Sequence, residues 1–280
     1  MQPGFHDFTD EQYHADPCPS PSLSNSLIKV LNNKSPKHAW MSHPRLNKNY
    51  QAKDDDKFDL GSAAHAMLLV PDSKICVIDA PDWRTKVAKE QREEAKSNGM
   101  LTLLAHQHRK ASEMVTIARE FIASSSLLRP VFETGAKEQT ITWKEGEIWC
   151  RGKLDVYSRQ ENVVVDYKTT SAANPDAFCR SSIPDFGYDT QDEFYSTGIH
   201  VLAGRRPRFV FLVQEDTAPF ACYMVEAGPS WQAIAEQKIS RAIRTWQKCL
   251  ESDNWPTYCD SNQIITAEAP AWAIAQEESR

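Results

Sequence analysis

The chain has 280 residues, 41% of them apolar, 10% aromatic and 25% charged, with eight tryptophans. That much core material excludes extensive disorder, and no apolar run approaches the roughly 20 residues of a membrane-spanning helix. The net charge of −6 excludes a uniformly basic nucleic-acid coat but leaves the local distribution open.

Taken in chain order, the first predicted element follows the Pro/Ser cluster Pro17–Ser22, where Ser24 is placed to cap a short helix carrying Leu27, Ile28 and Leu31. Pro36 opens a second short helix through Met41. Phe58–Val70 has Leu60, Ala63, Ala64, Met67 and Leu68 at helical spacing and ends at Pro71. Ile75–Ile78 reads as a strand, and residues 83–98 as a charged helix stopped by Gly99. Thr102 is expected to cap a long amphipathic helix to about Ala123. From residue 137 the period changes. Glu138–Trp143 and Ile148–Tyr157 alternate around a turn at Gly146, and Val163–Tyr167 is a buried-strand run. Helices are predicted near Pro175–Ser182 and Thr190–Ala203, strands at Phe209–Glu215 and Phe220–Glu226, and a last helix from Pro229 to about Leu250. Strands flanked by helices without a linker-like break predict an α/β (α+β) fold, one domain over 1–280 with a mainly helical portion at 25–136 and the sheet within 137–250.

The charge separates along this order. Residues 1–24 hold four acids and no Lys or Arg, and residues 251–280 hold six acids and one Arg, so the body between carries +3. Within it, 25–53 contains Lys29, Lys34, Lys37, Arg45, Lys48 and Lys53 without an acid, before Asp54-Asp55-Asp56. Such a stretch fits a solvated helix face or a phosphate-contacting surface. The seven cysteines are odd in number and widely spaced, with no C-x-x-C, so they read as reduced thiols. With no basic, apolar leader at the N-terminus, the expected location is cytoplasmic.

The chemically informative segment is Gly152-Lys153-Leu154-Asp155, then ten intervening residues, then Asp166-Tyr167-Lys168-Thr169-Thr170. Asp166 and Lys168, two apart on one strand, share a face. Two carboxylates beside a lysine fit a solvated ion-pair network. They equally fit a divalent-metal phosphodiesterase, in which acids hold Mg²⁺, the metal polarises the phosphate and the lysine offsets developing charge. His65, on an apolar helix, reads as either a core histidine or a ligand. Gln191 and Tyr195 share a helix face.

Gly61-Ser62-Ala63-Ala64-His65, Glu138, Gly152-Lys153-Leu154-Asp155, Asp166-Tyr167-Lys168-Thr169 and Gln191-x₃-Tyr195 occur in the order seen in RecB-type nucleases of the PD-(D/E)XK superfamily. Most of all the chain resembles the RecE-type exonucleases, the nuclease domain of exodeoxyribonuclease VIII and its phage relatives. The likeness runs from the Ser22–Leu31 helix to the tail Trp255-Pro256-Thr257-Tyr258 and Pro270-Ala271-Trp272. It implies a central mixed sheet flanked by helices, with His65, Asp155, Asp166 and the main-chain carbonyl of Tyr167 as metal ligands and Lys168 as the catalytic lysine. Glu138 falls at the edge of the site. Gln191 and Tyr195 shape it and contact DNA, with Arg151, Lys153 and Thr169 beside them as candidate DNA contacts.

The implied chemistry is Mg²⁺-dependent hydrolysis of linear double-stranded DNA from the 5′ end, with Mn²⁺ able to substitute. The implied partners are DNA ends, a RecT-type single-strand annealing protein and further copies of the chain in a ring-shaped tetramer. RecE carries a long N-terminal extension that this sequence lacks, so a free-standing nuclease domain is expected. Some RecB-type relatives bind an iron–sulfur cluster through four late cysteines; only Cys249 and Cys259 fall there, so no cluster is expected. The competing readings are a non-catalytic DNA-binding or assembly module and an endonuclease of the same superfamily.

Overall fold

The computed structural model describes residues 1–51, 60–70, 73–171, 174–259 and 261–279. Phe58, Pro71, Lys53 and Asp54-Asp55-Asp56 lie outside the described residues. The strands are β1 (Gly4–His6), β2 (Leu23–Ser24), β3 (Ile75–Ile78), β4 (Leu101–Leu104), β5 (Ala136–Glu145), β6 (Ile148–Ser158), β7 (Val163–Thr170), β8 (Arg208–Glu215) and β9 (Cys222–Val225). The helices are α1 (Asp10–His14), α2 (Asn25–Asn33), α3 (Pro36–Met41), α4 (Leu60–Leu69), α5 (Lys86–Ser97), α6 (Ala105–Ser124) and α7 (Leu128–Thr134). They continue with α8 (Pro175–Ala177), α9 (Ile183–Phe186), α10 (Tyr188–Ala203), α11 (Pro229–Ser252) and α12 (Ala271–Glu278), and a π-helical turn, Phe178–Ser182, joins α8 to α9.

A mixed sheet in the order β1-β5-β6-β7-β8-β9 forms the centre, with β2 added in parallel to the first half of β6. β5, β6 and β7 are antiparallel neighbours, whereas β7 and β8 run parallel and need the crossover through α8–α10. The uninterrupted apolar run in β7 follows from burial on both faces. Val164 joins one core with Trp143, Phe209, Phe211, Phe194 of α10 and Trp246 of α11. Val163 and Val165 join the other, with Val210, Leu212, Leu68 of α4, Met114 of α6 and Leu128 of α7. Helices therefore cover both faces of the sheet. Among the described residues no helix is long and apolar enough to cross a membrane.

Three local expectations change. Thr102 does not cap a helix: it lies in β4, paired with Cys76 of β3, and α6 begins at Ala105. Leu101 and Leu103 belong to a small strand pair whose alternation is too short to stand out from the helix that follows. Ser24 occupies the cap position of α2, but its hydroxyl bonds Ser26 Oγ at 2.9 Å and makes no capping hydrogen bond. The charged helix starts at Lys86, where Thr85 accepts from the Ala88 amide, later than residue 83.

Helix α10 packs on β5 and β6 because two positions lack side chains. A Cβ on Gly198 would meet the Trp143 ring at 2.8 Å, and one on Gly152 would meet the Tyr195 ring at 2.6 Å. The same helix buries three acids. Asp189 pairs with Lys238 at 2.6 Å and Glu193 with Arg206, but among the described residues Asp192 has only the Ser196 hydroxyl at 3.1 Å. Burial pushes the Asp192 carboxyl up to about 7, against the weaker opposing pull of that hydroxyl and of Arg206.

Two expected outcomes follow from this packing. Gly198→Ala forces the Trp143 ring to move and lowers unfolding free energy by about 1–3 kcal/mol in urea titration. Folded Asp192 holds its proton up to about 7 while the unfolded chain loses it near 4, so stability falls as pH rises through that window. Asp192→Asn accordingly raises the thermal midpoint at pH 8 by a few degrees and has little effect at pH 5, as calorimetry can read.

Candidate active site

The site forms where the β6–β7 ladder ends. The last rung of that ladder is Val156↔Val165, and one step further the register sets Asp155 opposite Asp166. There the strands no longer exchange backbone bonds: Asp155 Oδ2 accepts the Tyr167 backbone N–H at 2.8 Å. Tyr167 turns its ring to the opposite face, where its hydroxyl donates to Gln214 Oε1 in the core. On the other side of Asp155, Glu138 of β5 interrupts regular pairing, since Lys137↔Val156 and Gln139↔Leu154 are formed on either side of it. Its φ of 55° lies in the left-handed region that non-glycine residues occupy at a cost of about 1–2 kcal/mol.

Helix α4 brings His65 onto these carboxylates. His65 Nε2 stands 3.2 Å from Asp155 Oδ2 and 3.6 Å from Glu138 Oε1. Ligand atoms of His65, Glu138 and Asp155 all lie within 4.8 Å of one another. Glu138 Oε1 is buried and accepts no hydrogen bond among the described residues. An imidazole and two carboxylates, one with an unsatisfied buried oxygen, suit a divalent cation of the Mg²⁺ or Mn²⁺ type.

Lys168 shares a face with Asp166 and forms an ion pair with its Oδ1, while Gln191 Nε2 donates to Asp166 Oδ2 at 2.6 Å. The electrostatics follow from crowding. Burial pushes the Asp166 carboxyl up to about 6, reinforced by the Asp155 charge and opposed by Lys168. Asp155 is held below the usual carboxylate range: burial works to raise it, but the His65 hydrogen bond and charge, Lys168 and the Tyr167 amide prevail. For His65 and Lys168 burial acts to lower the pKa, and the surrounding acids more than reverse it, so both are raised. Lys168 is therefore an ammonium, a donor and a cation rather than a base.

His65, Glu138, Asp155 and Lys168 line a cavity of about 560 Å³ together with Thr169, Tyr195 and Tyr188. Tyr195 is 6% exposed and lies against β6 at Gly152. The structure thus brings His65, Glu138, Asp155, Asp166, Lys168 and Gln191 together. It places Glu138 among the converging ligand atoms instead of at the edge, and turns Asp166 toward Lys168 and Gln191.

Of two expected phosphate contacts, Arg151 is engaged away from the cavity and Lys153 is ion-paired within its wall. Arg151 is only 5% exposed, and its guanidinium lies 3.2 Å from Asp16 Oδ1 and donates to the Ser22 carbonyl at 3.1 Å. It is a buried counter-charge to Asp16. Lys153 forms ion pairs with Asp10 and with Glu138, the latter at 2.7 Å, so it neutralises the wall of the site. The basic stretch is likewise partly spent inside: Arg45 bonds the Cys18 and Pro19 carbonyls, and Lys37 lies 3.9 Å over the Trp40 ring. The sequence reading also missed α1, which brings Asp10, Tyr13 and His14 into the cavity wall. A signal was present in Thr9-x-x-Gln12, a capping box in which each side chain bonds the other's backbone amide.

A mixed sheet flanked by helices, with acids, a histidine and a lysine gathered where two central strands part, defines a nuclease-type fold of the PD-(D/E)XK class. The chain belongs to the PDDEXK-like family of unknown function DUF3799, whose sequence profile matches residues 24–268. Among solved structures, a candidate exonuclease from Eubacterium rectale has a similar fold: 13% identity, TM-score 0.60, covering 96% of this chain and 98% of that one. A phage-related exonuclease from Haemophilus somnus 129PT aligns at 12% identity over 69% of this chain and 95% of that one, but its TM-score of 0.29 carries no structural argument. No curated protein sequence matches the chain.

If Arg151 neutralises buried Asp16, Arg151→Ala lowers stability by about 3 kcal/mol in urea titration. A surface phosphate contact would leave the unfolding midpoint unchanged.

Proposed function

We propose that the protein is a divalent-metal-dependent exodeoxyribonuclease that hydrolyses linear double-stranded DNA from its 5′ end and leaves 3′ single-stranded tails for annealing. The observation that carries the nuclease reading is the convergence of His65, Glu138 and Asp155 beside the Lys168–Asp166 pair in one open cavity. The likeness to RecE-type exonucleases supports the polarity and the tails. It also supports a ring-shaped tetramer, a RecT-type annealing partner and a cytoplasmic location.

Asp155, Glu138 and His65 would hold the cation, Mg²⁺ in preference with Mn²⁺ substituting, and Asp166 and the Tyr167 carbonyl are the further ligands the family pattern supplies. When bound, such a cation polarises a phosphate oxygen and lowers the pKa of a water. The remaining work belongs to the chain. Lys168, kept protonated by Asp166 and Asp155, donates toward the phosphate and offsets charge as water attacks phosphorus and the P–O bond breaks. Gln191 fixes Asp166, and Asp166 in turn aims the lysine. The Tyr167 amide fixes the orientation of Asp155. Thr169 and Tyr195 contribute cavity wall along which the strand is held.

Digestion of end-labelled linear duplexes with and without Mg²⁺ or Mn²⁺ tests this reading. Lys168→Ala and Asp155→Asn are each expected to slow cleavage by about 10²–10³-fold or more, with circular dichroism still reporting a folded chain. Release of label from the 5′ end first, and survival of closed circular duplex, are the expected patterns. Cutting of closed circles would establish an endonuclease, and metal-independent binding without cleavage under any condition would establish a binding module.

A further inference from the structure

An aromatic ladder leads from the core, through the cavity wall at Tyr188, to an exposed ring. Phe178 is fully buried and stacks on Tyr188 with ring centroids 5.7 Å apart and 22° between planes. Tyr188 lines the cavity, carries the Lys168 ammonium 4.9 Å over its ring, and stacks on Phe186 at 5.6 Å and 27°. Phe186 is 56% exposed. Between the last two rings Gly187 adopts a φ of 66°, and a Cβ there would strike the Lys29 side chain at 2.7 Å. Lys29 Nζ donates to the Phe186 carbonyl at 3.0 Å, which sets a cation at the backbone that carries the exposed ring.

A single exposed apolar side chain is ordinary. Phe186 differs in being held nearly parallel to a ring that itself touches the candidate catalytic lysine. A flat π-face with a neighbouring ammonium matches a nucleobase and its phosphate. In a closed duplex, base faces are already stacked on one another, so the complementary ligand is an unpaired base.

We propose that Phe186 is a stacking platform for an unpaired base of the DNA strand entering the site, with Tyr188 behind it and Lys29 beside the adjoining phosphate. The assignment rests on the nuclease reading for its substrate class and deepens it: the preferred end is frayed or overhanging. Gly187 and Lys29 fix the platform, and the ladder to Phe178 makes it rigid.

The test is binding, in EDTA, of fluorescein-labelled duplexes ending blunt, in a short oligothymidine overhang, or in an overhang of abasic spacers of equal length. The wild-type chain is expected to favour the thymidine overhang over the other two. Phe186→Ala should lose about ten-fold in affinity for that end alone, with its thermal midpoint unchanged. Phe186→Trp should restore the affinity and show quenched indole emission on adding the oligonucleotide. Equal binding by Phe186→Ala and wild type, or unquenched Phe186→Trp emission, overturns the assignment. Cleavage is not read, so a chain inactive with every metal would refute the nuclease reading and leave this result to stand or fall by itself.

Discussion

The hydrogen bond from the Tyr167 amide to the Asp155 carboxylate is the contact on which the rest of the site depends. Two strands that continued their ladder would satisfy that amide through a backbone carbonyl and keep their side chains apart. Letting a side chain take over ends the ladder, parts the strands and turns one carboxylate along the sheet. A buried amide cannot be left unpaired without cost, so the substitution fixes Asp155 as firmly as a rung would. Glu138 and His65 then gather on Asp155 from β5 and α4, and Asp166 and Lys168 stand on the adjoining strand.

Crowding so many ionisable groups is tolerable because their charges alternate. Lys153 sits between Asp10 and Glu138, His65 between Glu138 and Asp155, and Lys168 beside Asp166. The excess is negative, and a divalent cation is the natural remainder. The same alternation runs through α10 and the N-terminal segment, where Asp189, Glu193 and Asp16 each meet a basic side chain. Among the described residues Asp192 has no such partner, and its raised pKa records the difference.

The sequence made the middle of the fold legible because period-two alternation and two-sided burial leave strong patterns. β5, β6, β7 and β8 and the long helices α10 and α11 lie close to where those patterns put them. β1, β2 and α1 span only 3, 2 and 5 residues, too few for any period to appear. Strand spacing put Asp166 and Lys168 on one face with Asp155 close by, but left an ion-pair network and a metal site as equal readings; the family resemblance supplied the roles. The position of Glu138 was not legible, because it rests on a positive φ that a local pattern does not announce. Nor was the fate of Arg151, whose partner segment at Ser22 is 129 residues away in the chain. A basic residue next to an acidic motif reads as a phosphate contact until its distant counter-charge is seen.

That separation also governs when the site comes into being. β1 and β2 find their partners only in β5 and β6, and Lys153 meets Asp10 across 143 residues. A chain emerging from the ribosome holds its first segment idle until the central hairpin has been made, and β7 has no parallel neighbour until β8 follows. Loop closure of this length is slow relative to local helix formation. The acidic centre, drawn from α4, β5, β6 and β7, therefore cannot be assembled before β7 has been made.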